Sequence, residues 1–350
     1  MPTMFTRQLL PPTSSFFLFG PRGVGKSTWI RQHFPGAKFY DLLNTGESLR
    51  LAREPRALFR EVQDLPAQAW VVIDEVQKVP ALLDEVHSLI ETRGLRFVLS
   101  GSSARKLRRG ASNLLAGRAT VEHLYPLTSA ETGWGAMGEA VLERGSLPMA
   151  LASADPIAFL SAYAQTYLQE EIRAEALTRN IGDFSRFLEI AARQNGQVTN
   201  VAGLARDAAV SRPTVQNYFG ILEDTLLGFW LRPWKLKAAT RQIAHPKFYL
   251  FDCGVARALS SRLPYPPSPE EKGPLMETWI LSEMRAYLDY RRLRYPLYYW
   301  RTHDGSEVDL LLETRDGFLA VEIKSSTRWD TRFNRSLKNL ATFLSGKPLR

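Results

Sequence analysis

Apolar residues gather in short unbroken runs in the first third of the chain and in alternating or helical patterns further on. Phe16 to Phe19, Val71 to Ile73 and the run opening RFVLSGSSARKL (96–107) each lead into Gly, Asp or Ser, which predicts buried strands ending in polar turns. Within residues 142–177 a Gly-Ser-Leu-Pro break precedes a helix after Asp155-Pro156, with Phe159, Tyr163, Thr166 and Tyr167 at helical spacing as a packed stripe. Val201 to Ala208 predicts a helix, and Ser211 caps a second one with Pro213 in its first turn. Val215, Tyr218, Phe219 and Leu222 give that second helix a buried stripe and leave Arg212, Thr214, Gln216 and Asn217 outward. Residues 228–250 predict a two-stranded ribbon, residues 260–274 a Pro-rich and charged linker, and residues 275–292 an amphipathic helix bearing Glu277 and Glu283.

The stretch EVDLLLETRDGFLAVEIKSS (307–326) alternates with period two on either side of Asp316-Gly317, the pattern of a β-hairpin. Val308, Leu310, Leu312, Leu319, Val321 and Ile323 share one face, and Asp309, Glu322 and Lys324 fall on the other with Leu311, Phe318 and Ala320. A two-residue turn sets Asp309 opposite Lys324, and a four-residue turn sets it opposite Glu322. The grouping has two readings: a cross-strand ion pair on a solvated face, or a divalent-metal site of two carboxylates with a Lys that steadies developing charge. One further helix is expected over 331–345, before the chain ends at Arg350.

The strongest chemical signal is FFLFGPRGVGKSTWIRQHF (16–34), a strand, a Gly-rich turn and a helix in the order GxxxxGK[ST] requires. Glycines let backbone N–H groups turn inward around phosphate oxygens, and the helix N-terminus adds partial positive charge. Gly20, Arg22, Gly23, Val24, Gly25, Lys26, Ser27 and Thr28 form the expected ATP cradle, with Lys26 on the β- and γ-phosphates and the Ser27 hydroxyl on Mg²⁺. AWVVIDEVQKVP (69–80) ends a buried strand in Asp74, expected on the Mg²⁺ water shell, and Glu75, expected to deprotonate the attacking water. Ser100 and Ser102 either sense the γ-phosphate or cap the helix from Ala104.

Composition adds a partner class. The 350 residues hold 45 Lys or Arg against 36 Asp or Glu, a net charge of +9, which favours a polyanion such as nucleic acid. The ribbon carries Arg232, Lys235, Lys237, Arg241 and Lys247 and no acid, and it follows a helix–turn–helix pattern. That combination suits a DNA phosphate clamp, with a protein-docking module as the other reading. A single Cys253 excludes an intrachain disulfide and fits a reducing cytosol. No apolar run approaches the roughly 18 residues of a membrane span, and the N-terminal stretch reads as a buried strand rather than an export signal.

Taken together, GPRGVGKST, VVIDEVQKVP, LSGSSARKL, LLAGRA and FYLFDCGVARAL resemble the AAA+ ATPases. More closely, they resemble a bacterial and archaeal family that joins such an ATPase to a C-terminal domain similar to the PD-(D/E)XK nuclease core. The resemblance implies an α/β fold: a five-stranded parallel P-loop NTPase sheet with a helical lid, then a winged helix, then an α/β nuclease-like domain. The corresponding segments are 1–135, 136–183, 184–258 and 270–350. It also implies that Arg118 is an arginine finger donated to a neighbouring subunit in a homo-oligomeric ring such as a hexamer. Asp309 and Glu322 become metal ligands and Lys324 a catalytic Lys, although Val308-Asp309 replaces the strict Pro-Asp and the further strand of such cores is missing. The expected protein is a cytoplasmic ATPase that binds DNA and remodels or processes it, in repair, recombination or defence against mobile DNA. Its rival is a nucleotide-gated signalling or scaffold ATPase. A small-molecule kinase is disfavoured, because its acceptor-binding lid has no counterpart in the sequence and the basic C-terminal half would go unexplained.

Overall fold

The computed structural model describes residues 5–102, 115, 117–134, 138–167, 180–235, 245–326, 328, 330–344 and 347–350. The chain divides into two compact units, the first running to Glu131 with Asp224–Leu226, the second taking the remainder.

The first unit is built on a parallel sheet. Strands β1 (Phe16–Phe19), β2 (Lys38–Asp41), β3 (Trp70–Asp74), β4 (Arg96–Gly101) and β5 (Thr120–His123) lie in the order β2-β3-β4-β1-β5. Every neighbouring pair is parallel, so each connection crosses over, mostly through helices: α1 (Lys26–His33), α2 (Thr45–Arg53), α3 (Arg56–Val62) and α4 (Leu82–Arg93). Val71, Val72, Ile73, Phe97, Val98 and Leu99 are fully buried, which explains why these strands read as unbroken apolar runs. This is the P-loop α/β arrangement the sequence implied. Strand β4, between β1 and β3, sets Ser100 between the strand that feeds the Gly-rich turn and the strand that ends in Asp74.

The second unit begins with α5 (Gly138–Arg144), α6 (Pro148–Ala152) and α7 (Pro156–Ala162), followed by a wider π-type turn at Tyr163–Tyr167. Of the expected stripe, Tyr163 is buried and Thr166 is exposed. Next come α8 (Ile181–Arg193), α9 (Val201–Asp207) and α10 (Arg212–Asp224). Asn180 and Asn200 cap α8 and α9, and the Ser211 hydroxyl accepts from Thr214 N at 3.2 Å at the start of α10. Tyr218 and Phe219 of α10 meet Phe187 of α8, with ring centroids 5.2 and 4.9 Å apart.

The ribbon and the hairpin share one sheet. Strands β6 (Gly228–Pro233), β7 (Lys247–Leu250), β8 (Leu297–Arg301), β9 (Glu307–Thr314) and β10 (Gly317–Val321) lie in the order β10-β9-β8-β6-β7. The expected wing is present as the antiparallel pair β6–β7, but β6 also pairs with β8 in parallel through Arg232 and Pro233. The segments expected as a lid, a winged helix and a nuclease-like domain therefore fall within one unit, and the last two are joined strand to strand. Helix α11 (Cys253–Leu259) is held to the end of α5 by Asp252, whose carboxylate accepts from Ser146 N at 2.7 Å and Val255 N at 3.0 Å. Gly145 must lack a Cβ there because one would collide with the Asp252 carboxylate.

Two sequence expectations shift here. The linker read over 260–274 ends early, because α12 (Pro269–Tyr290) begins inside it with a capping box between Ser268 and Glu271. The hairpin turn is Arg315-Asp316, with Thr314 opposite Gly317 and Leu310 opposite Val321. Continuing that register sets Asp309 opposite Glu322, because this two-residue turn lies one residue before the Asp316-Gly317 turn that would set it opposite Lys324. Gly317 is spent on a close approach: a Cβ would meet the Pro348 carbonyl oxygen. Helix α13 (Arg335–Leu344) follows, and residues 348–350 then pair with β10. Phe318 N donates to Pro348 O at 2.8 Å, Ala320 N to Arg350 O at 2.9 Å, and Arg350 N to Phe318 O at 2.9 Å. Phe318 and Leu349 form an isolated parallel bridge there. Leu310 packs with Leu281 of α12 and Leu311 with Leu340 and Leu344 of α13, so adjacent residues of β9 face opposite helical layers. Among the described residues no helix is long and apolar enough to cross a membrane.

Candidate nucleotide site and acid–lysine cluster

The Gly-rich turn takes its shape from two left-handed glycines, Gly23 (φ 85°) and Gly25 (φ 91°), which run directly into α1. A Cβ at Gly20 would collide with the Leu124 carbonyl oxygen. The Lys26 ammonium is folded back under the loop, donating to Gly20 O at 2.8 Å and Pro21 O at 3.3 Å. Ser27 Oγ donates to Asp74 Oδ2 at 2.6 Å, and the Ser100 hydroxyl donates to the other Asp74 oxygen. Ser27 in the first turn of α1, Asp74 at the end of β3 and Ser100 in β4 thus form one hydrogen-bonded chain of oxygen atoms. A hydroxyl beside a carboxylate is a hard-oxygen set of the kind Mg²⁺ takes, so these residues fit the ion expected there. Among the described residues no group of three His, Cys, Asp or Glu side chains is arranged to hold a metal.

Glu75 adopts a left-handed conformation (φ 61°), uncommon for a residue with a side chain. Its N–H donates to Ser100 Oγ at 3.3 Å. Gln77, 6% exposed, donates to the Glu75 carboxylate and to Ser102 Oγ at 3.2 Å, so Ser100 and Ser102 both connect to the acidic pair. Gly101 makes room for Gln77, whose Oε1 would collide with a Cβ there. The helix from Ala104 that Ser100 or Ser102 was expected to cap lies outside the described residues. Arg118 pairs with Glu91 of α4 and its side chain is 36% exposed.

Sequence reasoning missed Gln77 and also Arg7. The Arg7 guanidinium is buried and donates to Val24 O in the Gly-rich turn at 2.6 Å, to Tyr125 O at 2.5 Å and to Glu131 Oε1 at 3.1 Å. It ties the turn to the strand end beyond β5. An isolated Arg far along the chain from its partners carries no local signal.

In the second unit, Arg212, Gln216 and Asn217 are exposed at the N-terminal end of α10 and Thr214 is half-buried. Arg232 and Lys235 are exposed as well, and Lys237 and Arg241 lie outside the described residues. Lys247 is a correction. It is 4% exposed, with Nζ 3.1 Å from Glu277 Oε2 of α12 and 2.7 Å from Glu307 Oε1 of β9, so it cannot reach a phosphate backbone from this position. The Tyr249 hydroxyl also donates to Glu277. Burial alone would lower the Lys247 pKa, but the Glu277 and Glu307 carboxylates outweigh it and hold the amine charged.

The hairpin residues come together beside this network. Lys324 Nζ stands 2.6 Å from Glu322 Oε1 and 3.6 Å from Asp309 Oδ2, and Ile323 N donates to Asp309 Oδ2 at 2.7 Å. Glu322 Oε2 is buried without a hydrogen-bond partner. Burial raises the Glu322 and Glu277 pKa values, and the Asp309 charge raises both further.

The N-terminal residues 13–133 match the AAA domain, residues 139–264 a domain of unknown function (DUF8612), and residues 272–348 another (DUF4143). Two relatives are the uncharacterized proteins Rv2008c of Mycobacterium tuberculosis and Mb2031c of Mycobacterium bovis. Each is 30% identical over 332 residues, covering 92% of this chain and 72% of the relative. Among solved structures, Aeropyrum pernix ORC1 in complex with DNA is similar at 13% identity, over 72% of this chain and 87% of that one, with a TM-score of 0.29. The Bacillus subtilis DNA clamp loader delta protein is similar at 12% identity, over 59% of this chain and 82% of that one, with a TM-score of 0.24. With 30% identity over 92% of its length, the chain belongs to the family that includes Rv2008c and Mb2031c, and its N-terminal residues form an AAA domain on a P-loop sheet.

Proposed function

We propose that this protein hydrolyses ATP and couples the hydrolysis to binding and remodelling or processing DNA. The observation that carries the reading is the linked set Lys26, Ser27, Asp74, Ser100 and Glu75, assembled from three neighbouring parallel strands. In this account the Lys26 ammonium leaves the carbonyls of Gly20 and Pro21 for the β- and γ-phosphates, and the Gly-rich turn donates its N–H groups. Ser27 and Asp74 would hold Mg²⁺, directly or through water, which neutralises phosphate charge when bound. Glu75 takes a proton from the attacking water, Gln77 fixes its carboxylate, and Ser100 or Ser102 responds to the γ-phosphate. Arg118 supplies positive charge to the nucleotide of a neighbouring copy in a ring, releasing Glu91 to do so.

The DNA-facing part of the proposal rests on the exposed Arg212, Gln216 and Asn217 at the start of α10 together with Arg232 and Lys235. The clamp is smaller than the five cations of the sequence, since Lys247 is committed to Glu277 and Glu307. Support for a nuclease-like domain comes from the order helix, three strands, helix and a parallel return to β10, with Asp309, Glu322 and Lys324 side by side. A second reading, a domain of this shape that docks DNA or protein without cutting, is favoured by one observation: Lys324 already occupies the Glu322 carboxylate at 2.6 Å.

The test is steady-state ATP hydrolysis with and without duplex, forked and junction DNA. The proposal expects stimulation by at least one DNA form, lost when Arg212 and Lys235 are reversed to Glu. DNA that neither binds nor stimulates would move the protein to the signalling class.

A further inference from the structure

The last 27 residues, 324–350, hold seven Lys or Arg against Asp330 alone, a charge of +6. The other 323 residues hold 38 Lys or Arg against 35 Asp or Glu, a charge of only +3. Most of the net charge thus belongs to one short segment of the second unit, apart from the α10 surface assigned above. The fold turns these cations outward. A 3₁₀ turn at Thr331–Asn334 leads into α13, and Arg332, Arg335 and Lys338 follow one another at a spacing of three, all exposed. Leu337, Leu340, Phe343 and Leu344 pack against Trp300, Leu311 and Phe318, so Arg335 and Lys338 hold the opposite side of the helix. Arg328 is exposed too, in a turn where Ser326 Oγ donates to Arg328 O at 2.9 Å.

Little of this charge is neutralised within the chain. Arg332 pairs with Asp330 at 2.8 Å, and nearby Asp304 has its pKa lowered by the Thr302 hydroxyl and further by the Arg335 charge. Arg328 and Lys338 have no carboxylate partner among the described residues. A face that only keeps a helix solvated mixes the two signs, because like charges three or four residues apart destabilise it. Helix α13 keeps Arg335 and Lys338 side by side and contains no acid. Lipid headgroups and nucleic-acid phosphates are the extended anionic surfaces that would neutralise such a face. An interfacial helix needs apolar side chains to enter the membrane, and among the described residues of 324–350 no large apolar side chain is exposed. Phosphate contacts need what is present, guanidinium and ammonium groups beside the exposed hydroxyls of Ser325 and Thr331. The segment also begins at the acid–lysine cluster: Lys324 Nζ lies 6.0 Å from the centre of the Phe333 ring and 3.6 Å from Asp309 Oδ2.

We propose that residues 324–338 form a second nucleic-acid surface, on which Arg328, Arg335 and Lys338 hold the phosphate backbone beside the acid–lysine cluster without reading base sequence. The inference rests on the DNA-binding reading above and adds a surface that acts independently of α10. Fluorescence anisotropy of the full chain with labelled duplexes of two unrelated sequences, across about 50 to 200 mM salt, tests it. The triple variant Arg328→Glu, Arg335→Glu, Lys338→Glu should bind both duplexes more weakly. Its slope of log affinity against log salt should be shallower by about three, roughly one per lost phosphate contact. The triple Gln variant should flatten the slope in the same way, with melting temperature and DNA-free ATP hydrolysis at the parental values. Adding Arg212→Glu and Lys235→Glu should lower the remaining slope further. A slope that neither triple variant changes would overturn this inference and leave the α10 surface standing, whereas a parent chain that binds no DNA would overturn both. Binding to phosphatidylserine vesicles that the triple variants abolish, with the DNA slope unchanged, would overturn it in favour of a membrane surface.

Discussion

Lys247 Nζ, at the start of β7, stands 2.7 Å from the Glu307 carboxylate of β9 and is buried rather than displayed on a DNA-facing ribbon. A buried ammonium with two carboxylate partners is an internal structural element, and removing it takes the ammonium from Glu277 and leaves Glu307 with the more exposed Arg301. Lys247→Met should therefore destabilise the second unit by about 3–5 kcal/mol, seen as an earlier thermal transition. The salt dependence of DNA binding by the protein that remains folded should not change. Reversing the exposed Arg212 and Lys235 should do the opposite, flattening the salt slope by roughly one per lost phosphate contact with little effect on melting.

Gln77 fixes Glu75, and Gly101 gives Gln77 its space. Gln77→Ala should lower the turnover of ATP while leaving nucleotide affinity near its normal value, because only the orientation of the water-activating carboxylate is lost. Gly101→Ala should give the same phenotype by pushing Gln77 aside. A rise in KM without a fall in kcat in either variant would remove Gln77 from the water-activating group.

Arg118→Ala should bind ATP normally and hydrolyse it slowly, by the roughly 10³-fold scale of arginine fingers. Mixing this variant with Lys26→Ala protein should restore part of the activity, since each lacks what the other supplies across a subunit boundary. A lack of rescue, with a monomer by light scattering, would reduce Arg118 to a structural pairing with Glu91.

How much was legible follows from where each partner lies along the chain. The Gly-rich turn, Asp74 and Glu75 were read directly, because their geometry is fixed by neighbours within one strand–turn–helix and the strand runs are apolar throughout. The outward set on α10 was read from one helix's periodicity and its Ser211 cap. The burial of Lys247 is invisible in the sequence because it depends on β6 pairing with both β7 and β8, a tertiary event that brings in Glu277 and Glu307 from distant elements. Gly317 reads as a turn residue in the sequence, yet in the fold it is needed for the close approach of Pro348. Arg7 carries no pattern at all, because it acts through carbonyls and a carboxylate that only the folded chain brings near; Gln77 stands two residues from Glu75, but its reach to Ser102 depends on the folded sheet.

If Asp309, Glu322 and Lys324 act on DNA, Mg²⁺ or Mn²⁺ should support nicking that survives Lys26→Ala, because metal-bound water needs no nucleotide. Asp309→Asn should abolish that nicking and leave ATP hydrolysis intact. Lys324→Ala should keep metal binding and lose rate. If no branched or single-stranded DNA is cut and calorimetry detects no Mn²⁺ binding that Asp309→Asn removes, the cluster is a docking surface only.

The most direct measurement pairs ATP binding with ATP turnover in Glu75→Gln and Lys26→Ala proteins. The account predicts that Glu75→Gln binds ATP as tightly as the parent chain while turnover falls to background, and that Lys26→Ala loses binding itself. Hydrolysis by Glu75→Gln at the parental rate, or undiminished ATP binding by Lys26→Ala, would contradict it.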